Sequence, residues 1–153
     1  MCLFTSSPCA FIAHEDIIAY KVVRVKYKYV YDNEKRRFVN EDDFYFTPYM
    51  MTKIPEECFE NGKPFEAVIQ NGYKRENALF VARPEGKFEV GDGYVHTFVN
   101  LYDAKWFAKC DCLHTRIFKV KIPKGTLMVA GLDNVARKTY ASKEIVFIEK
   151  IED

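Results

Sequence analysis

Apolar and polar side chains alternate most strictly between residues 16 and 31, where Val23, Val25, Tyr27, Tyr29 and Tyr31 are separated by Arg24, Lys26, Lys28 and Val30. A period of two sends successive side chains to opposite faces of a strand, so one face can meet a core. The pattern predicts a strand over Asp16 to Tyr31. Asp32-Asn33-Glu34-Lys35 supplies turn chemistry, and Arg36 to Val39 is expected to return as the second arm of a hairpin. Phe44-Tyr45-Phe46 predicts a short strand closed by Thr47-Pro48, because proline has no N–H for a sheet ladder. Pro55 to Phe59, followed by Asn61-Gly62, suits one helical turn with proline at its start and glycine past its end.

Four short apolar segments follow, at residues 65–70, 78–82, 87–90 and 94–99, bounded by Asn-Gly, Pro-Glu-Gly and Gly-Asp-Gly. That spacing predicts a β meander. A helix is expected over Leu101 to Lys109: Asn100 can cap, Asp103 stands in the capping-box place, and Ala104, Phe107 and Ala108 share a face. Arg116 to Ile122 alternates Phe118, Val120 and Ile122 inward against Lys119 and Lys121, and Pro123-Lys124-Gly125 ends it. Residues 126–130 and 144–151 predict two more strands, with Asp133 to Thr139 read as a polar loop. Residues 1–15 carry no period and are read as an N-terminal arm laid over the rest.

Together these elements predict an α+β fold, mostly antiparallel β-sheet arranged as two packed or strongly curved sheets, with one or two short helices. The 153 residues match a single domain over 1–153. A 16% aromatic content strengthens the strand reading. Lysine and arginine number 23 against 22 acidic residues, so the net charge of +1 supplies no strong field for nucleic acid or anionic lipid. Apolar runs fall far short of a membrane span, and Met-Cys-Leu-Phe-Thr-Ser-Ser-Pro does not read as a secretory signal, so the expected location is the cytoplasm. Five cysteines, an odd number, fit reduced thiols better than a disulfide framework.

Several groupings carry candidate chemistry. Cys110, Cys112 and His114 form C-x-C-x-H, whose members point the same way in an extended segment and could converge on zinc, although a fourth ligand lacks diagnostic spacing. The alternative is that the thiols fill space at a helix-to-strand junction. His96-Thr97 and His114-Thr115 differ from paired His-x-Thr phosphodiester sites, because adjacent residues on a strand face opposite sides. Lys21, Arg24, Lys26 and Lys28, with Tyr20, Tyr27 and Tyr29, can bind phosphates or stacked bases, or form the solvated face of a sheet. Gly91-Asp92-Gly93 is a turn with no phosphate-binding helix after it.

From Gly93 to Phe147 the chain resembles the C-terminal half of ADP-ribosyltransferase-fold domains. The stretches that carry the likeness are Tyr94-Val95-His96-Thr97, Asp103-Ala104-Lys105-Trp106-Phe107-Ala108, Val120-Lys121-Ile122-Pro123-Lys124-Gly125-Thr126 and Ser142-Lys143-Glu144-Ile145-Val146-Phe147. The resemblance implies NAD as cofactor, Glu144 as the carboxylate that stabilises an oxocarbenium-like ribose, and Thr97 as support for a nicotinamide pocket. Tyr20-Lys21 is similar to that family's NAD-gripping Tyr-Arg pair, and Arg83 is a second candidate for the grip. Ser142 stands where many members carry Glu or Gln.

The whole chain also resembles small proteins of gut Bacteroides-type bacteria and their phages that begin Met-Cys-Leu and carry a Tyr-Lys-Val strand, Pro-Lys-Gly and Ala-Ser-Lys. That likeness implies a mobile-element or host-conflict role. The sequence reading is therefore a non-catalytic module that binds a nucleotide-like small ligand or a host protein. Its expected ligand-binding residues are Tyr20, Lys21, Arg24, Arg83, His96 and Thr97. The alternative is an NAD-dependent ADP-ribosyltransferase-like enzyme with Glu144 as its catalytic residue.

Overall fold

A computed structural model describes residues 3–48, 51–66, 80–90, 93–111 and 114–152. In chain order the described elements are β1 (Phe4–Thr5), β2 (Phe11–Ile12), β3 (Ile17–Asp32), β4 (Arg37–Phe46), α1 (Glu57–Glu60), β5 (Phe65–Glu66), β6 (Phe80–Arg83), β7 (Lys87–Val90), β8 (Val95–Phe98), α2 (Leu101–Cys110), β9 (Thr115–Ile122), β10 (Leu127–Leu132), β11 (Lys138–Ser142) and β12 (Glu144–Ile151). The fold is α+β and mostly antiparallel sheet, with two short helices among the described residues.

The strands hydrogen-bond in the order β5-β12-β9-β3-β8-β11-β10-β1-β7-β6, with β2 added to β10 and β4 to β3. Consecutive β11 and β12 are separated in this order by β8, β3 and β9, which in a flat sheet is roughly 19 Å at the usual strand spacing. Yet Ser142 and Glu144 are joined through Lys143 alone, and two residues span at most about 7 Å. The sheet therefore curls strongly, and the Ser142 hydroxyl donates to the Glu144 carbonyl at 3.1 Å across that corner.

Among the described residues the expected meander does not form. Only β6 and β7 pair there as sequence neighbours; β5 joins β12, β7 joins β1, and β8 lies between β3 and β11. Residues 67–70, 78–79 and the Gly91-Asp92 turn lie outside the described residues. The polar loop expected at Asp133 to Thr139 is shorter, because Lys138–Ser142 forms β11 against β10. Asp133, buried, makes the tight turn by accepting the N–H groups of Val135 and Arg137 at 3.0 and 2.8 Å. The hairpin arm and the Phe44-Tyr45-Phe46 segment are one continuous β4, broken in register near Tyr27 by a bulge.

Parts of the N-terminal segment enter the sheet. Phe4 pairs with Leu132 on one side and Glu89 on the other, and Phe11 pairs with Met128. Gly131 permits this fit: a Cβ there would stand 2.5 Å from both Leu3 Cδ2 and the Phe4 carbonyl oxygen. At the β9–β10 turn Gly125 adopts φ +90°, a conformation that side chains rarely tolerate.

The curled sheet buries both its faces. One face carries Val23, Val95, Phe118, Val120, Ile122 and Ile145 in a common cluster, closed over by Ile54, Cys58 and Phe65. Tyr45, Phe59, Phe118 and Phe147 pack there edge-on or tilted, with centroids 4.6 to 5.4 Å apart. The other face packs Val22, Phe98 and Ile117 beneath Ala104 of α2, and elsewhere Val129 and Ala141 beneath Leu3. Among the described residues no helix is long and apolar enough to cross a membrane.

Candidate functional site

The helix α2 forms where Leu101, Ala104, Phe107 and Ala108 recur at helical spacing and turn onto Phe98, Val22 and Ile117. Asn100 holds an extended N-cap conformation without a side-chain cap. Its amide instead donates to the Asp103 carboxylate at 3.4 Å. Asp103 in the first turn and Lys109 in the last complement the helix dipole.

That inward face fixes what points outward. Tyr102 and Trp106, four residues apart, are 77% and 51% exposed. With Lys105 and Lys109 they form one wall of a groove of about 730 Å³, whose other wall is Thr115, Arg116 and Ile117 of β9 and Lys150, Ile151 and Glu152 at the end of β12. Lys105, Lys109, Arg116 and Lys150 face a single carboxylate, Glu152, among the lining residues.

Arg116 is held in place from behind. Its Nε and one terminal nitrogen donate to the two Asp42 oxygens at 3.1 and 3.0 Å, the bidentate geometry that fixes a guanidinium plane. The same group lies 5.7 Å from the Tyr27 ring centroid and donates to the Tyr27 hydroxyl at 3.3 Å. Asp42 also faces Lys150 at 3.9 Å and accepts the Tyr45 phenol at 2.7 Å. Burial first, and this bond second, raise the Tyr45 phenol above its ordinary range. Lys105 and Lys109 make no ion pair among the described residues, so their charge is open to a ligand.

The residues nominated from sequence lie elsewhere. Lys21 sits between Ala19 and Val23 on the core face of β3, 6% exposed, and donates to the His96 carbonyl at 2.9 Å. Burial lowers its pKa to about 8. His96 lies opposite Ala141; its Nδ1 is buried without a hydrogen-bond partner among the described residues, and burial, with the nearby Lys21 charge, holds its pKa down to about 3. Thr97 is fully buried, its hydroxyl likewise without a partner among those residues. Lys21 and His96 are thus brought together, with Thr97 beside them in sequence.

Tyr20, opposite Phe98, packs against the cluster under α2. Arg24 pairs with Asp111 just past α2 at 3.1 Å, and Arg83 pairs with Glu89 across the β6–β7 hairpin. Glu144 heads β12 opposite Glu66 of β5, and its carboxylate makes no hydrogen bond or ion pair with His96 or any other described residue. Cys110 closes α2 in an exposed position, Cys112 lies outside the described residues, and the His114 ring packs 4.7 Å from Tyr27. Among the described residues no three His, Cys, Asp or Glu side chains are placed to hold a metal ion.

Sequence patterning does not single out the groove residues Tyr102, Lys105, Trp106, Lys109, Arg116 and Lys150 as a set. A signal exists: once Ala104, Phe107 and Ala108 define the inner face of α2, Tyr102 and Trp106 must fall outside it. Comparison with protein families, curated proteins and solved structures finds no match to this chain.

Proposed function

We propose that the protein is a non-catalytic binding domain that holds a nucleotide in the groove between α2 and the ends of β9 and β12. The observation that carries this reading is the pairing of exposed Tyr102 and Trp106 with Lys105, Lys109, Arg116 and Lys150 around one cleft. An aromatic face stacks a base, a gain of about 1–3 kcal/mol, and neighbouring cations take phosphates. Arg116, already fixed by Asp42, presents its remaining surface with little ordering cost. Binding rather than turnover is favoured by the lining chemistry: among the described residues it includes no histidine, serine or cysteine, and the Thr115 hydroxyl is directed at the Ala108 carbonyl, 3.5 Å away.

Trp106 is the single tryptophan of the chain, so its fluorescence reports the groove directly. ATP is expected to change that emission along a saturating curve, with adenosine and inorganic triphosphate each binding more weakly. The double variant K105E/K109E is expected to lose most of the ATP response. No fluorescence change and no calorimetric heat at millimolar ATP defeats the proposal, as does an affinity unaltered by the double variant.

A further inference from the structure

The Val25 N–H still donates to the His114 carbonyl at 3.0 Å, but past that point β3 pairs with β4 alone among the described residues. Residues 26–32 and 37–44 therefore form a two-stranded ribbon that runs on beyond β9. The C-terminal end of β4 is covered: Phe46 bridges Lys53, and the Ile54 N–H donates to the Tyr45 carbonyl at 2.8 Å. Among the described residues the stretch from Arg37 to Phe44 pairs on one side alone. A free edge of this length is a template for another strand unless something opposes it.

The sequence of that edge is charge-complementary to itself. Lys35-Arg36-Arg37-Phe38-Val39-Asn40-Glu41-Asp42-Asp43 carries three cations before Phe38 and three carboxylates after Asn40. Run antiparallel against a second copy about Val39, it sets Arg37 opposite Glu41 and Phe38 opposite Asn40, each twice by symmetry. Arg37 and Glu41 are both exposed and lie on the same ribbon face. Opposite charges directly across a strand pair are favourable and like charges unfavourable. Lys35 and Arg36 in the turn then lie toward Asp43 of the second copy.

The ribbon's other face adds apolar area to the same joint. Tyr29, Tyr31 and Phe38 share that face, all exposed, with the Tyr31 and Phe38 rings 5.4 Å apart. In the register about Val39 the two Phe38 rings become diagonal neighbours, a separation aromatic side chains can close. The opposite edge of the ribbon does not self-pair in this way, since β3 there carries Lys26 and Lys28 with no carboxylate before Asp32.

We propose that two copies of this chain associate through antiparallel pairing of their β4 edges, centred on Val39, to make a two-fold symmetric dimer with a continuous sheet. The joint is isologous, so each Arg37–Glu41 contact occurs twice.

Sedimentation of the full chain at tens of micromolar is expected to give twice the 17.9 kDa chain mass, with the dimer weakening as salt rises. Arg37→Glu and Glu41→Arg, both at exposed positions, are each expected to weaken the dimer by at least about tenfold, because each sets like charges opposite one another. Mixed in equal amounts, the two variants are expected to form a heterodimer. In the proposed register alone, both charge contacts of the mixed pair are again between opposite signs: two carboxylates from one copy face two guanidinium groups from the other. Circular dichroism checks that each variant keeps its sheet. A parent chain that stays monomeric, a single variant as dimeric as the parent, or a mixture that fails to associate overturns the proposal.

Discussion

Lys21 and Trp106 lie in parts of the molecule joined by β3, β9 and α2, and each occupies the environment the other's chemistry suits. The lysine is sealed between Ala19 and Val23 with one carbonyl for its ammonium, whereas the indole stands half in water beside free lysines. An ammonium removed from water with a single partner costs stability, because two of its three donors stay unmatched among the described residues. An exposed indole costs little, and it leaves apolar area for a ligand to cover. Buried oddity and exposed oddity therefore report different things: the first bears on how firmly the fold holds, the second on what the surface can bind.

The comparison breaks most easily at the layer between the two regions. Phe98, 1% exposed and 5.4 Å from the Phe107 ring, supports α2 from below. Phe98→Ala is expected to lower stability by about 3–5 kcal/mol in urea unfolding and to loosen the groove with it. A loss under about 1 kcal/mol would show that α2 does not depend on that packing.

Next in size is the lysine itself. Its folded pKa, about 8, lies below the unfolded value of 10.5. Below pH 8 both states are protonated and the fold carries the full cost of the buried charge. Between about pH 8 and 10.5 the fold sheds the proton while the unfolded chain keeps it, so stability rises with pH; above 10.5 the cost is gone. Lys21→Met is therefore expected to raise stability at about pH 7 by on the order of 3 kcal/mol, a gain that fades by about pH 10.5. A variant destabilised near neutral pH would mean that the ammonium is well solvated inside. His96 also has a lowered value, so acidification from pH 6.5 toward 3 lowers stability as the unfolded chain takes up a proton that the fold refuses.

Trp106→Ala sharpens the other half of the comparison. It is expected to reduce ATP affinity by about 1–3 kcal/mol, read by calorimetry, while leaving unfolding within about 0.5 kcal/mol of the parent. The smallest effect is assigned to Glu144→Gln. Glu144 does not line the groove, so ATP affinity is expected to be unchanged. Measurable nicotinamide release from NAD by the parent, abolished in this variant, would instead support the transferase reading.

Much of the framework is legible in the sequence because burial on one face enforces alternation. Strand β9 shows it plainly: Phe118, Val120 and Ile122 are buried while Lys119 and Lys121 are not. Strand β4 reads as two pieces because Asn40 to Asp43 is polar, and a ribbon exposed on both faces needs no apolar alternation. Strand β11 escapes a local reading because Lys138-Thr139-Tyr140-Ala141-Ser142 is short and mixed in polarity, its place being set by the Asp133 turn and by partners far away in sequence. The meander misleads for the same reason: local turns mark where a strand stops, whereas its partner is chosen by long-range packing.

At the site, parity is the neglected clue. Lys21 shares its face with Val23, an odd position, and Arg24, Lys26 and Lys28 occupy even ones, so the basic stripe read from sequence joins two opposite sides of one strand. Trp106 is less legible for a different reason: it stands next to Phe107 in the helix, and of the two adjacent aromatics only Phe107 falls on the inner face with Ala104 and Ala108.

The close approach of Gly131 to Leu3 and Phe4 bears on the order in which the molecule assembles. Strand β1 leaves the ribosome long before Leu132, the residue it must pair with, and nearly the whole chain is synthesised between them. Until β10 and β11 arrive, Leu3 lacks Val129 and Ala141 from its cluster, and β1 has β7 alone to pair with. Closure at this seam is therefore a late event in biogenesis, and a bulkier residue at 131 would leave β1 held by β7 alone after β10 had formed.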